Sequence, residues 1–551
     1  MDAQRLIDRA SALDTLRDTQ TSIWEELARV CLPRLSSVYH ARNAPVVHED
    51  RGRKRVAENS DGTAMRSLRI LATGQAARIT PMGGRWFVLR PPARLAENQQ
   101  ALNWYAACTE RLITLLGTSN FYNRAYECYE MRGCFGLSAL EVTAGANGRG
   151  LHFRSLPVGT FSVAENSLDE VDTVFRTAYR TPAQLLEQFK DTCPPVVRKL
   201  ADDAQTRDKP SEKILHCILP RTDRDPRKSD GANKPIASVH IHCATASILL
   251  DSGFDSVPIA VSRWQTTPLS PYGWGPADYA LPEAAQANFM EQMQDVLAEV
   301  SAFPRILYPA GMKDEIDFGA MGLTAFDPAA GENAAPREWL TAGRYDIWKD
   351  RAADKKRAIE DAFFVELFSA ISRLSPDATA TQVSAIVSES RELFHPIYSN
   401  MVREFLTPVL RRCFTLALIQ GEMPQPPAAV IQGDDLGPFI ENPEVEYISA
   451  MALALEQSQL AGLNDILTVL SPLAAIDPSW LMPLNPETIT PHLLRAKGLP
   501  TIFLRTPEQM QQIAAAQAAQ AQAQAALTAT EGIRNLGGPD QAARAAAMLP
   551  Q

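Results

Sequence analysis

The residues best suited to chemistry in this chain stand in small, separate groups. His240-Ile-His242-Cys243 places three metal-binding side chains within four positions. On an extended strand His240 and His242 share one face. A zinc site needs further ligands to close its shell, and no distant cluster in the sequence offers them. An ordinary strand face is therefore favoured over a metal site. Gly145-Ala-Asn-Gly-Arg-Gly150 is glycine-rich but lacks the Gly-Lys-Ser/Thr ending that cradles phosphates and magnesium, so it reads as a hairpin. No HExxH, GxSxG or dinucleotide fingerprint occurs. No residue is assigned a catalytic, cofactor-binding or metal-binding role, and no cofactor is expected. An enzyme reading, such as a hydrolase, has no residues to rest on. Arg51-Gly-Arg53-Lys54-Arg55 is a basic run; its two readings are a solvated loop and a site for nucleic acid or a protein partner.

The eight cysteines are scattered without a CxxC pair. They read as reduced thiols, most of them small core residues. The first ten residues, MDAQRLIDRA, carry no apolar stretch of the signal-peptide kind, and no run is long and apolar enough to span a bilayer. Synthesis and folding in a cytoplasm are expected. A chain of 551 residues with 45% hydrophobic and 21% charged residues suits three or four globular units. Its net charge is −10, the opposite of the balance that grips phosphates.

These residues need elements to carry them. A short amphipathic helix and a polar arm are predicted up to about Arg55, then a helix over Thr63–Ala77. Pro81 and Gly83-Gly84 break that helix before a strand over Trp86–Leu89. Helices rich in aromatics follow from Ala101 to Gly136. From there to Ser262 the pattern is mainly β, in short runs over 151–163, 171–179, 214–219, 239–250 and 257–264. One helix interrupts them, opened by Thr181-Pro-Ala-Gln184, an N-cap with proline at the first position and glutamine three residues on. Tyr272-Gly-Trp-Gly-Pro276 reads as a turn, and Pro282-Glu283 as the start of a helix to Ala302. A turn-rich insert over 303–350 separates it from a second helix, Lys355–Ile371. Two helices flanking such an insert lie side by side only if it returns to its own starting point. Within the second helix Phe364 stands off the main apolar stripe, where a single chain would leave it exposed. Thr379-Ala-Thr-Gln382 opens a long helix to Gln420, with bends near His395 and Thr407 ahead of Pro396 and Pro408. Asn442-Pro443 caps a helix from Glu444 to Leu470. Residues 507–527 hold nine Ala and seven Gln. Such a helix favours its own formation but buries little apolar area.

Taken in order, these segments resemble the head-to-tail connectors, or portals, of short-tailed bacteriophages. Ile79-Thr-Pro-Met-Gly-Gly-Arg-Trp-Phe-Val-Leu89 is similar to an early family segment. Tyr272-Gly-Trp-Gly-Pro-Ala-Asp-Tyr-Ala-Leu-Pro282 is similar to a YGRGPA-like turn followed by ALP and a helix. Thr379-Ala-Thr-Gln-Val383 resembles a TATEV segment. Glu404-Phe-Leu-Thr-Pro408, Gly421-Glu-Met-Pro-Gln-Pro-Pro427 and the Ala/Gln-rich tail follow at the expected places. The resemblance covers nearly the whole chain. Trp274 stands where the family has a basic residue and Gln382 where it has an acidic one, which alters local contacts.

The resemblance implies an α+β portal fold and a ring of twelve subunits at one capsid vertex. Its parts would be a β-rich wing (1–275), a stem helix (276–302), a clip (303–352), a second stem helix (353–371), a channel loop (372–378), a kinked helix returning to the wing (379–440), a crown (441–505) and a barrel helix with its tail (506–551). It implies a channel for packaging and ejecting double-stranded DNA without sequence specificity. The implied partners are the large terminase, tail adaptor proteins, and the major capsid and scaffolding proteins, with no membrane and no catalysis. The particle would assemble in the host cytoplasm and remain in the virion. The alternative is a virion adaptor or scaffold without a DNA channel. Arg373, Ser375 and Asp377 would stand in the channel loop. Arg51, Arg53, Lys54 and Arg55 would form a basic arm toward nucleic acid or capsid protein. The clip from Pro309 to Asp350 holds four basic and eight acidic side chains, a net of −4. Asp314, Glu315, Asp317 and Glu338 would form its acidic surface. A passage that lets DNA slide should repel phosphate rather than hold it.

Overall fold

The computed structural model describes residues 2–35, 56, 58–145, 148–225, 227–228, 230–302, 306–307, 337–338, 345–372, 393–434 and 437–448. All of them belong to the first of two units, Met1–Leu455. The helices are α1 (Ala3–Cys31), α2 (Thr63–Arg78), α3 (Gln99–Thr118), α4 (Phe121–Phe135), α5 (Pro182–Phe189), α6 (Pro195–Asp202), α7 (Pro276–Ala302), α8 (Tyr345–Ala362), α9 (Val365–Ser372) and α10 (Thr407–Ile419). The strands are β1 (Phe87–Arg90), β2 (Leu137–Ala144), β3 (Leu151–Leu156), β4 (Phe161–Glu165), β5 (Val171–Arg180), β6 (Glu212–Pro220), β7 (Ile236–His242), β8 (Ser247–Phe254), β9 (Ile259–Arg263), β10 (Gln265–Thr267), β11 (Ser270–Trp274), β12 (Ile306–Leu307), β13 (Arg337–Glu338), β14 (Ile431–Asp434), β15 (Gly437–Ile440) and β16 (Glu444–Tyr447).

The first helix is long, not short. The Asp2 side chain caps α1 by accepting the Gln4 backbone N–H at 3.0 Å. Leu6, Ala10, Arg17, Trp24, Leu27, Ala28 and Cys31 then form one buried stripe at helical spacing. That stripe joins two cores. Leu6 and Ala10 cover one face of a five-stranded antiparallel sheet, β4-β5-β6-β7-β8, against Phe175, Leu215, Cys217, Val239 and Ile241. Trp24 to Cys31 enter the main core with α2, α3, α4 and the three-stranded sheet β3-β2-β9. The one charged member of the stripe, Arg17, is neutralised locally by Asp14 at 3.2 Å and Asp18 at 2.9 Å.

Alternation along β6 and β7 explains why the five-stranded sheet is covered on both faces. Leu215, Cys217, Val239 and Ile241 point to α1. Ile214 points the other way, to Leu185, Phe189, Cys193 and Val197 of the α5–α6 segment. The α5 start carries both halves of a capping box, Gln184 N–H to Thr181 Oγ1 and Thr181 N–H to Gln184 Oε1, each at 3.2 Å. Gly145–Gly150 closes the β2–β3 hairpin, with Gly145 N–H donating to the Gly150 carbonyl at 3.0 Å. None of the eight cysteines forms a disulfide, and all but Cys243 are buried.

Three sequence expectations are corrected by tertiary contacts. Tyr272–Trp274 is not a turn but part of β11, paired with β10. Consequently α7 begins at Pro276 and holds Pro282 inside its second turn. Asn442-Pro443 does not open a helix: Glu444–Tyr447 is a strand paired with Arg90–Phe87. Val445 and Tyr447 pack against the main core from there. The helix expected over Lys355–Ile371 begins earlier, at Tyr345, and breaks at Phe363-Phe364. Phe364 adopts φ +55° and turns into its own chain. Its ring lies 6.2 Å from Trp264 and 5.5 Å from Phe394. It is half-buried against its own core, where the helical stripe alone suggested full exposure in a single chain.

Candidate functional site: a helix pair on a buried arginine footing

The chain enters the insert along α7 and leaves it along α8. The insert's ends meet as β12 and β13, with Ile306 opposite Glu338 and Leu307 opposite Arg337. The helices lie against each other, and ion pairs join them. Lys355 Nζ is 2.6 Å from Glu283 Oε2. Lys356 pairs with Glu291 and lies 3.5 Å from Asp61 Oδ1. Burial works against the Lys356 ammonium, but the bond to Glu291 and the charge of Asp61 outweigh it and raise its pKa. Asp61 also ties the pair to the segment before α2, because its backbone N–H donates to Asn288 Oδ1 of α7 at 2.8 Å.

Glycine sets where α7 starts. Gly136 ends α4 in the left-handed region, φ +68°. A Cβ on Gly136 would lie 2.4 Å from the Gly273 carbonyl oxygen, and one on Gly273 would lie 2.4 Å from that of Gly136. The backbones of the Tyr272-Gly-Trp-Gly-Pro276 segment and the α4 terminus thus touch directly. Gly275 N–H then donates to Asp278 Oδ2 at 2.7 Å, fixing the first turn of α7.

Two arginines, Arg263 and Arg132, are buried elsewhere in the same unit. The Arg263 side chain, 1% exposed, reaches Glu404 Oε1 at 2.6 Å, pairs with Glu165 and donates to the Asp169 carbonyl at 3.0 Å. Glu404 also accepts the Arg263 backbone N–H at 2.8 Å. Burial alone would lower the Arg263 pKa; Glu404 and Glu165 reverse that and raise it. Arg132 lacks a carboxylate at this distance, and burial lowers it to about 10. Its guanidinium sits 4.9 Å over the Trp264 ring and donates to the carbonyls of Arg263 (3.1 Å) and Ile397 (3.0 Å). These bonds grip the helical residues 393–401 and the π-helical turn Val402–Leu406 that precedes α10. Pro408 lacks the N–H for a regular turn, and the wider π turn falls just ahead of it, at the expected Thr407 bend. Glu404 projects from that turn to Arg263.

Most of the residues singled out by sequence are not among those the structure describes. Arg51, Arg53, Lys54, Arg55, Asp314, Glu315, Asp317, Arg373, Ser375 and Asp377 lie outside the described residues; Glu338 lies on β13. His242 Nε2 is 2.8 Å from Glu212 and Nδ1 is 2.7 Å from Thr245 Oγ1, while the His240 ring stacks on His216 at 3.9 Å. Among the described residues no three His, Cys, Asp or Glu side chains converge for a metal. Nor is any described helix long and apolar enough to cross a membrane. Sequence reasoning missed Arg132, Arg263 and Glu404. Nothing local marks them, except that Glu404 falls inside the Glu404–Pro408 segment.

An antiparallel helix pair, α7 and α8, thus joins a body of mixed helix and sheet. The chain belongs to the family described as bacteriophage head to tail connecting protein, which matches residues 3–504. It is 27% identical over 536 residues to a probable portal protein of Bordetella phage BPP-1, covering 93% of this chain and 92% of that one. It is 25% identical over 534 residues to the portal protein of Salmonella phage epsilon15, covering 95% and 92%. Among solved structures, a chain of the virion of a native gene transfer agent particle aligns at 14% identity and TM-score 0.33, covering 74% of this chain and 86% of that one.

Proposed function

We infer that this chain is the portal subunit of a short-tailed phage: copies close into a ring at one capsid vertex, and double-stranded DNA enters and leaves through its axis. The observation that carries this reading is the family match over 3–504, with portal relatives aligned over more than nine-tenths of both chains. A closed ring repeats one heterologous interface. In it, 1–275 serves as wing, 276–302 and 353–371 as stem, 303–352 as clip and 372–378 as channel loop. Residues 379–440 return to the wing, and 441–505 and 506–551 form crown and barrel. Twelve copies would complete it. The ring docks the large terminase during packaging and tail adaptors afterwards, and meets capsid and scaffolding proteins at the vertex. It assembles in the host cytoplasm, stays in the virion, and needs no catalytic residue or cofactor of its own.

The clip's net −4, repeated around the axis, makes a negative passage that keeps phosphates mobile. Arg373, Ser375 and Asp377 meet the DNA within the channel, and Arg51, Arg53, Lys54 and Arg55 serve as an arm toward nucleic acid or capsid protein. Negative-stain microscopy of the purified protein tests the reading. Rings with a central hole wide enough for duplex DNA are expected. Particles without a through-hole would instead indicate a virion adaptor, and single globules at every concentration would end the portal assignment.

A further inference from the structure

One cavity of about 620 Å³ is unrelated to the helix pair. It lies between the α5 side of the five-stranded sheet and the β2–β3 hairpin. Its lining includes Glu141, Arg154, Arg176, Arg180, His216 and His240. Strand register explains the clustering. Arg176 and Arg180 are four residues apart on β5 and so share a face. Arg176 is directly opposite His216 on β6, and His216 opposite His240 on β7.

The charges do not balance. Glu141 is the one buried carboxylate, accepting Arg176 at 3.1 Å and lying 3.7 Å from Arg154. The other acid of the lining, Glu187, is exposed on α5. Arg180 completes no ion pair among the described residues; burial and the neighbouring Arg154 both lower its pKa. The two imidazoles add no charge at neutral pH, because burial and the facing arginines hold both well below the ordinary value. His216 Nε2 is 2.9 Å from Ser238 Oγ, but His240 Nδ1 is buried with no hydrogen-bond partner. Three guanidiniums and one buried carboxylate thus border a space of the size that holds small ligands.

We propose that this cavity binds a small phosphate-bearing anion, held by Arg154, Arg176 and Arg180. Guanidiniums suit phosphoryl oxygens because their planar N–H pairs bond two oxygens at once. The site lies in a different part of the fold from the helix pair and stands whether or not the chain forms a ring.

Calorimetric titration of the intact protein tests it, with inorganic phosphate, pyrophosphate and ATP as separate ligands. Saturable binding of about one anion per chain is expected for at least one of them. Equal affinities would identify the phosphoryl group as the whole determinant; tighter ATP binding would add a contribution from the base or ribose. Arg180→Met should weaken binding at least about tenfold, roughly the worth of one charge-assisted bond. Arg357→Met, on the exposed face of α8, should leave it unchanged. Arg154→Met serves as a second variant if Arg180→Met misfolds. No saturable binding by any of the three anions would overturn the proposal. So would equal weakening by the Arg357 control, which would mean diffuse surface charge.

Discussion

Replacing Glu404 by alanine should loosen the helical residues 393–419 far more than its single position suggests. The carboxylate satisfies two donors at once: the Arg263 guanidinium at 2.6 Å and the Arg263 backbone N–H at 2.8 Å. The Arg263 side chain is 1% exposed and that of Glu404 10%, so water cannot readily replace either bond. Breaking a buried pair from one side costs about 3–5 kcal/mol, and the orphaned amide adds to that. Glu165 and the Asp169 carbonyl remain and offset part of the loss. A net loss of about 4 kcal/mol follows, roughly a thousandfold in an opening equilibrium. Glu404→Gln keeps an acceptor for the amide and should cost about half as much. The double variant Arg263→Met/Glu404→Met removes the stranded cation along with its partner. It should be less damaging than Glu404→Ala alone, and Arg132 keeps its bond to the residue-263 carbonyl. Native-state hydrogen exchange followed by mass spectrometry on peptides from 393–419 reads these openings directly. The half-exposed pair Arg85–Glu110 is the control, since its loss should cost under about 1 kcal/mol. If Glu404→Ala lowers protection no more than Arg85→Ala, or if the double variant is worse than the sum of its parts, the buried pair does not hold this helix.

Acid should destabilise the five-stranded sheet through His240, whose pKa falls from the ordinary 6.5 to about 4. The unfolded chain then binds the extra proton first, so stability drops as pH falls from about 6.5 toward 4, by on the order of 3 kcal/mol. Thermal unfolding across that window should show the drop, and His240→Gln should reduce it, leaving the part due to His216, which burial also holds well below the ordinary value. Gly273→Ala would force a Cβ to within 2.4 Å of the Gly136 carbonyl oxygen; we expect a fall in melting temperature of several degrees, read by calorimetry, and a Ser at Trp274, 50% exposed, to leave it within about a degree. Charge reversal at Asp314, Glu315, Asp317 and Glu338 together should slow DNA packaging or ejection in a single-particle transit assay; an unchanged rate would remove the negative field from the account.

Much of the local structure was legible in the sequence, because it rests on neighbours in the chain. Thr181, Pro182 and Gln184 suffice for the α5 start, since every bond of a capping box is made within four residues. Thr63–Arg78 needed only its periodicity and the breakers after it, and the turn-bounded apolar runs marked most of the strands. The ordered series of segments also pointed to the connector family. Tertiary structure alone decided the rest. Asn442-Pro443 carries helix-start chemistry, yet Glu444–Tyr447 extends because Phe87–Arg90 offers an unpaired edge more than 350 positions earlier. Tyr272–Trp274 became a strand because β10 lay beside it and the Gly136 backbone left room for no side chain. Phe364 left its helix where Trp264 and Phe394 of the same chain offer it ring contacts. Arg132, Arg263 and Glu404 come from α4, β9 and the π turn, and the cavity arginines from two different strands. Propensity and caps act over a few residues, whereas desolvating a charge or pairing an edge depends on what the folded chain brings alongside.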